Sequence, residues 1–202
     1  MMRRLAGPVA LLAGLSLLAV NGSAAYRTSH YTYNDGRCHK RSDPVNLILS
    51  GPNATAGYAG DRIYLVTGWN SHSGSTQRFL TGGKCSKMDG QLASGTFGRY
   101  HVRWNRLAGR NRRGQPGVSA DPHHEDWACA LPPFHAVDKG SVDPAHYDPT
   151  DQGSGFDQGR RELIEQFGGK AGWANWGNTK AFKQCDGDWA GSDGWTGFVQ
   201  MG

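Results

Sequence analysis

Tyr100-His101-Val102-Arg103-Trp104-Asn105 alternates apolar and polar side chains without a break. A period of two marks a β-strand, so Tyr100, Val102 and Trp104 share one face and His101, Arg103 and Asn105 the other. The first face belongs to a core; the second is either the solvated side of a half-exposed sheet or the wall of a site. Residues 106–117 are rich in turn formers, and 118–127 can return as the partner strand of a long hairpin. Upstream, Val45-Asn46-Leu47-Ile48-Leu49 lies between Asp43-Pro44 and Ser50-Gly51-Pro52 and is apolar on both sides, as a strand inside a sheet is. Residues 61–69 (DRIYLVTGW) fit a helix or a second strand, with Ile63, Tyr64, Val66 and Thr67 pulling toward strand.

The clearest helix covers residues 155–167. Ser154-x-x-Asp157 makes a capping box, Phe156, Leu163, Ile164 and Phe167 recur at helical spacing, and Gly168-Gly169 supplies the stop. Arg160 falls inside that apolar stripe, where an arginine needs a paired anion or an open cleft. From residue 172 the chain is rich in Trp and Gly and is expected to be irregular, ending in a short edge strand near 196–201. The expected fold is an α+β or α/β sandwich, with a mixed sheet, a long hairpin, a C-terminal amphipathic helix, a Gly/Trp-rich tail and two disulfides.

Residues 1–25 carry the parts of a secretory signal: Arg3 and Arg4, an apolar run from Leu5 to Val20, and the small residues Ser23, Ala24 and Ala25. Cleavage after Ala25 predicts a secreted chain with no membrane span in its mature part. The remainder of the 202 residues suits one domain, with a polar N-terminal arm over 26–42 and a single globular unit over 43–202. The formal net charge of +5 includes Arg3 and Arg4, so the mature chain is mildly basic. That permits an anionic partner without signalling nucleic acid; a monomer is expected.

Four cysteines, Cys38, Cys85, Cys129 and Cys185, all lie past the signal, and an even count in an exported chain reads as a disulfide framework. Of three connectivities, Cys38–Cys85 with Cys129–Cys185 pairs neighbours along the chain. Spacings this wide lack the Cys-x-x-Cys doublets of structural zinc.

Candidate site residues come from four segments: His101 and Arg103 on the strand, the run His123-His124-Glu125-Asp126, His135 and Asp138, and Asp157 and Arg160 on the helix. Histidine suits proton transfer near neutral pH, carboxylates orient it or bind metal, and arginine grips a phosphate or carboxylate in two prongs. A divalent metal through His123 or His124 with His135 competes with a structural hydrogen-bonded cluster. Asp186-x-Asp188 with Asp193-Gly194 lacks the distal Glu of a calcium loop and reads as a glycine-rich turn. Arg106, Arg110, Arg112 and Arg113, without interleaved aromatics, read as a solvated hairpin tip. Asn53-Ala54-Thr55 is a glycosylation sequon where the host uses such sites. No Gly-x-Ser-x-Gly elbow, His-Glu-x-x-His helix or phosphate-cradling glycine loop is present, which removes the commonest secreted esterases and metalloproteases.

In order and spacing, Asp43-Pro44-Val45-Asn46-Leu47, Gly68-Trp69, the His101-x-Arg103-x-Trp104 strand, His123-His124-Glu125-Asp126, His135-Ala136-Val137-Asp138 and Asp157-x-x-Arg160 resemble the LssY C-terminal-like domain family over residues 43–168. The resemblance implies an α/β sandwich with a helix ending at Gly68-Trp69. Many relatives carry membrane-embedded regions; this chain lacks them and adds the cysteines, the arginine-rich turn and the tail. The family supplies no firmly established activity.

Two functions follow as expectations. The first is a hydrolase-like domain for a small or polymeric anionic substrate, a phosphoester above all, with His101 or His135 as general acid/base, Arg103 and Arg160 gripping the anion, and Glu125 or Asp157 orienting a histidine. The second is a non-catalytic binding module that stacks Trp173, Trp176, Trp189 or Trp195 on carbohydrate or cell-envelope polymer.

Overall fold

The computed structural model describes residues 26–71, 75–95, 99–126, 137–138, 155–178, 182–183, 189–190 and 192–202. Its two helices are α1 (Ala56–Thr67) and α2 (Gly155–Gln166). A four-stranded antiparallel sheet holds β1 (Thr28–Tyr33), β2 (Arg41–Pro44), β5 (Arg78–Thr81) and β6 (Lys84–Lys87) in the order β2-β1-β5-β6. A nine-stranded mixed sheet holds β3 (Leu47–Ser50), β4 (Asn70–Ser71), β7 (Gly90–Ala93), β8 (Arg99–Arg106), β9 (Gly117–Ala120), β10 (His123–Asp126), β11 (Val137–Asp138), β12 (Gly172–Asn175) and β15 (Trp195–Gln200). A small hairpin pairs β13 (Phe182–Lys183) with β14 (Trp189–Ala190).

The long hairpin forms around β8. His101 faces His123 of β10 and Trp104 faces Ala120 of β9, so the returning chain keeps one register along β8 and breaks only at Asp121-Pro122. Pro122 cannot donate to the ladder, which accounts for the break. On its other side β8 pairs with β7. The Leu47–Ser50 segment is the expected interior strand, antiparallel to β9 on one side and parallel to β15 on the other.

The two faces of the large sheet are covered differently. Leu47, Leu49, Val102, Trp104, Val118 and Val199 form one buried cluster with Ala59 and Ile63 of α1 and Leu163 and Ile164 of α2. Burying such a face supplies most of the stabilisation of both helices. The Trp104 indole lies in a slot that a side chain on Gly60 or Gly90 would fill, and its Nε1 donates to the Ala56 carbonyl at 3.0 Å. On the opposite face Ile48 and Val45 meet Phe79 of β5 in a second cluster with Tyr26 and Leu107.

Two expectations are revised, the polar arm and the terminal edge strand, and one left open is resolved. Residues 61–67 are helical, and the helix ends at Gly68-Trp69 as the resemblance implied: Thr55 caps α1 by accepting from the Tyr58 amide, and Gly68 ends it at φ 69°. Thr55, read as part of a sequon, is thus a helix cap. The segment expected as a polar arm over 26–42 forms β1 and β2, with Thr32 and Tyr33 buried. The terminal strand β15 is not an edge, because β12 pairs outside it. Of the two disulfides, Cys38–Cys85 is formed with its Cα atoms 5.7 Å apart; Cys129 and Cys185 lie outside the described residues. No helix among the described residues is long and apolar enough to cross a membrane.

Candidate functional site

The polar face of β8 is not solvated. His101, Arg103 and Asn105 are buried, with the four-stranded sheet bringing polar partners to Arg103 and Asn105 and the neighbouring strand β7 one to His101. Asp43, at the end of β2, accepts from Arg103 Nη1 at 2.6 Å, and Asp121 accepts from the same nitrogen at 2.8 Å. Asp121 also accepts the Arg103 backbone amide at 3.0 Å, so one carboxylate fixes both ends of that residue. Asn105 donates to the Lys87 carbonyl at 2.8 Å. Both carboxylates precede a proline, Asp43-Pro44 and Asp121-Pro122, which holds their backbone extended.

Arg103 Nη2 lies 3.2 Å from His123 Nε2. A guanidinium only donates, so His123 Nε2 accepts, and its proton sits on Nδ1, donating to the Asp121 carbonyl at 2.7 Å. Both ring nitrogens are therefore committed within the cluster. His101 stands edge-on to His123 at 5.0 Å between centroids, with Nε2 3.1 Å from Gln91 Oε1. Burial pushes the Asp121 carboxyl up to about 6, against the pull of Arg103, while the like charge of Asp43 adds to the rise.

A second cluster forms on α2. Arg160, fully buried, grips Asp193 in a fork, with Nη1 at 2.8 Å from Oδ1 and Nη2 at 2.6 Å from Oδ2. Nη1 also donates to the Trp195 carbonyl at 2.6 Å and lies 3.4 Å from Asp157. Its guanidinium covers the Trp173 ring at 5.1 Å. The anion that Arg160 needed in its apolar stripe is thus supplied by the tail of the chain, at a position read as a glycine-rich turn.

Phe156 packs beside the His123 ring at 5.8 Å, and Asn46 donates to the carbonyls of Pro122 and Phe156 at 3.1 and 2.8 Å. Asn46 thereby ties the central strand to the hairpin break and to α2. Gly159 completes the joint, since a Cβ there would fall 2.3 Å from the His123 backbone.

Of the residues expected in one site, His101, Arg103 and His123 meet, whereas Asp157 and Arg160 form the separate cluster with Asp193. Glu125 lies in β10 opposite Arg99 and Asp138 in register. His135 lies outside the described residues. His124 turns away from His123: its ring stacks on Tyr100 at 4.5 Å and its Nδ1 lies 3.1 Å from Gln158 Oε1. Among the described residues no three His, Cys, Asp or Glu side chains are grouped to hold a metal. Sequence reasoning missed Gln91, Asp121 and Asp193; only Asp-Pro marked any of them.

No family model, curated protein or solved structure matches this chain. What the site does is therefore argued from its geometry. Both arginines expected to grip a substrate are each held by two carboxylates, at 6% and 0% exposure. Two of the four tryptophans are engaged as well: Trp176 stacks on His30 at 4.6 Å, and Trp173 carries Arg160. Trp189 lies in β14, at the edge of what the structure describes.

Proposed function

We propose that this chain is an exported, non-catalytic binding module, with its buried His/Arg/Asp lattice serving as the frame that joins two sheets and a helix. The observation that carries this reading is the double carboxylate pairing of both Arg103 and Arg160. A guanidinium already neutralised and buried cannot take up a substrate anion without leaving two carboxylates unpaired, which costs several kcal/mol. Four of the residues that carry the LssY resemblance, Asp43, Arg103, Asp157 and Arg160, are engaged in these contacts, which supports reading that part of the motif as a folding signature. The Cys38–Cys85 bond supports export, since disulfides persist in oxidising compartments.

One observation favours a catalytic reading of the same lattice: a carboxyl raised to about 6 in the cluster that holds the His123 imidazole is poised for proton transfer near neutrality. A single experiment separates the two. The parent and the near-isosteric His101→Gln variant are assayed on phosphodiester, phosphomonoester and carboxylester substrates and for retention on insoluble cell-envelope polymer. Turnover at background with equal retention of both proteins is the expected result. Turnover in the parent that His101→Gln abolishes would overturn the binding-module reading.

A further inference from the structure

One end of the molecule collects unpaired positive charge. The tip of the β5–β6 hairpin, the tip of the β8–β9 hairpin and the start of β1 meet there, through Arg27 N donating to the Ala108 carbonyl at 3.1 Å and Gly82 N donating to the Arg27 carbonyl at 2.8 Å. Both tips turn on left-handed glycines, Gly82 and Gly83 in one and Gly109 and Gly114 in the other. The three segments, residues 26–33, 78–87 and 106–117, contain no Asp or Glu. They carry Arg27, Lys84, Arg110, Arg112 and Arg113, all exposed. Arg106 has Asp89 at 3.9 Å, a long contact at an exposed side chain. Among the described residues no ion pair engages Arg27, Lys84, Arg112 or Arg113, in contrast to the neutralised arginines of the interior.

The arginine-bearing tip is ordered from within. Asn111 Oδ1 accepts the amides of Arg113 and Gln115 at 2.9 Å each, and Arg110 Nη1 donates to the Gly114 carbonyl at 2.8 Å. Its charges are therefore presented by a preformed turn, which lowers the ordering cost of binding. At the start of β1 and the β5–β6 tip lies an open cleft of about 460 Å³ lined by Arg27, Thr28, Ser29, Leu80, Gly82 and Gly83.

We infer that this basic end is the binding face of the module and that its partner is a linear phosphate-bearing polymer held by charge. This deepens the binding-module reading and rests on it. Guanidinium forks match phosphate oxygens, and a run of exposed arginines beside an open cleft suits a repeating anion better than a single small one. The exposed large apolar side chains among the described residues are Tyr64 and Leu65 of α1, which leaves this end without the apolar contacts a membrane-embedding face uses. It likewise lacks the interleaved exposed aromatics on which nucleic-acid bases stack.

The test measures binding of long-chain polyphosphate to the full protein across a salt series, for the parent, for Arg112→Gln/Arg113→Gln, and for the control Arg41→Gln/Lys170→Gln, which removes the same charge from exposed positions elsewhere. Both pairs are solvent-exposed, so folding is retained, and circular dichroism verifies it. The expected result is at least tenfold weaker binding for the hairpin pair, with the slope of log K on log salt reduced by about 0.7–0.9 per arginine removed, and a change within about twofold for the control. Equal weakening by the two pairs means diffuse net charge and overturns the inference. So does tripolyphosphate competing as well as the long polymer at equal molar concentration, or tighter binding to anionic phospholipid vesicles than to the polymer. Retention on a neutral polysaccharide untouched by either pair overturns the polymer assignment and leaves the module reading standing.

Discussion

Asp121 is where burial and charge act in opposite senses. Desolvation and the neighbouring Asp43 favour the protonated carboxyl, Arg103 favours the ionised one, and the balance places the group at about 6 rather than the ordinary value near 4. An acid whose folded value lies above its unfolded one stabilises the fold fully below the unfolded value and loses that contribution as pH rises through the folded value. Asp121 therefore favours folding below about pH 4 and loses that favour by about pH 6–7. Two units correspond to roughly 2–3 kcal/mol. Urea midpoints of the parent and of Asp121→Asn, taken at half-unit steps from pH 4 to 7.5, check this. The parent is expected to lose stability relative to the variant as pH rises across that window, because titrating groups distant from Asp121 cancel in the difference. A difference that stays flat with pH removes Asp121 as the titrating group.

The strongest constraint between elements is the contact of α2 with β10, where Gly159 leaves no room for a side chain above His123. Gly159→Ala puts a methyl into the backbone of the strand and has to lift the helix, a change that outweighs the better helix propensity of alanine. The expected loss is about 2–4 kcal/mol, read from urea unfolding; Gly57→Ala, where a Cβ meets nothing within 4 Å, is expected to be neutral or slightly stabilising. A small loss at Gly159 would mean the helix tolerates displacement and is not the rigid lid over His123. This joint also shows how far the sequence could be read. The alternation of β8, the apolar run over 45–49, whose strand forms at Leu47–Ser50, and the α2 stripe with its glycine stop are local patterns, and each gave the expected type of element. α1 was ambiguous because its β-branched residues favour strand, while the deciding signals were its ends, Thr55 and Gly68. The partners of Arg103 and Arg160 were illegible, because Asp43, Asp121 and Asp193 reach them only through tertiary pairing. A polar strand face looks the same in sequence whether water or another sheet covers it.

For the molecule as a whole, the cover over that face is a four-stranded sheet held to itself by one covalent link. Cys38, in the turn between β1 and β2, is bonded to Cys85 of β6, so the bond joins the hairpin at one edge to the strand at the other. The closed loop spans a sequence separation of 47, for which chain entropy gives a stabilisation of about 4 kcal/mol. Against this, Cys38 sits at φ 55°, a left-handed conformation that costs a non-glycine residue about 1 kcal/mol. Replacing both cysteines by serine is therefore expected to lower stability by about 4 kcal/mol, since serine keeps the strained turn and loses the link. Cys38→Gly with Cys85→Ser relieves the turn and is expected to recover up to about 1 kcal/mol of that loss. Hydrogen exchange locates the effect: amides of β1, β2, β5 and β6 should lose protection before those of β3, β8 and β9, because the link constrains only the smaller sheet. Uniform loss across both sheets would show instead that the ion pairs from Asp43 to Arg103 already bind the two layers into one cooperative unit, with the disulfide acting on all of it.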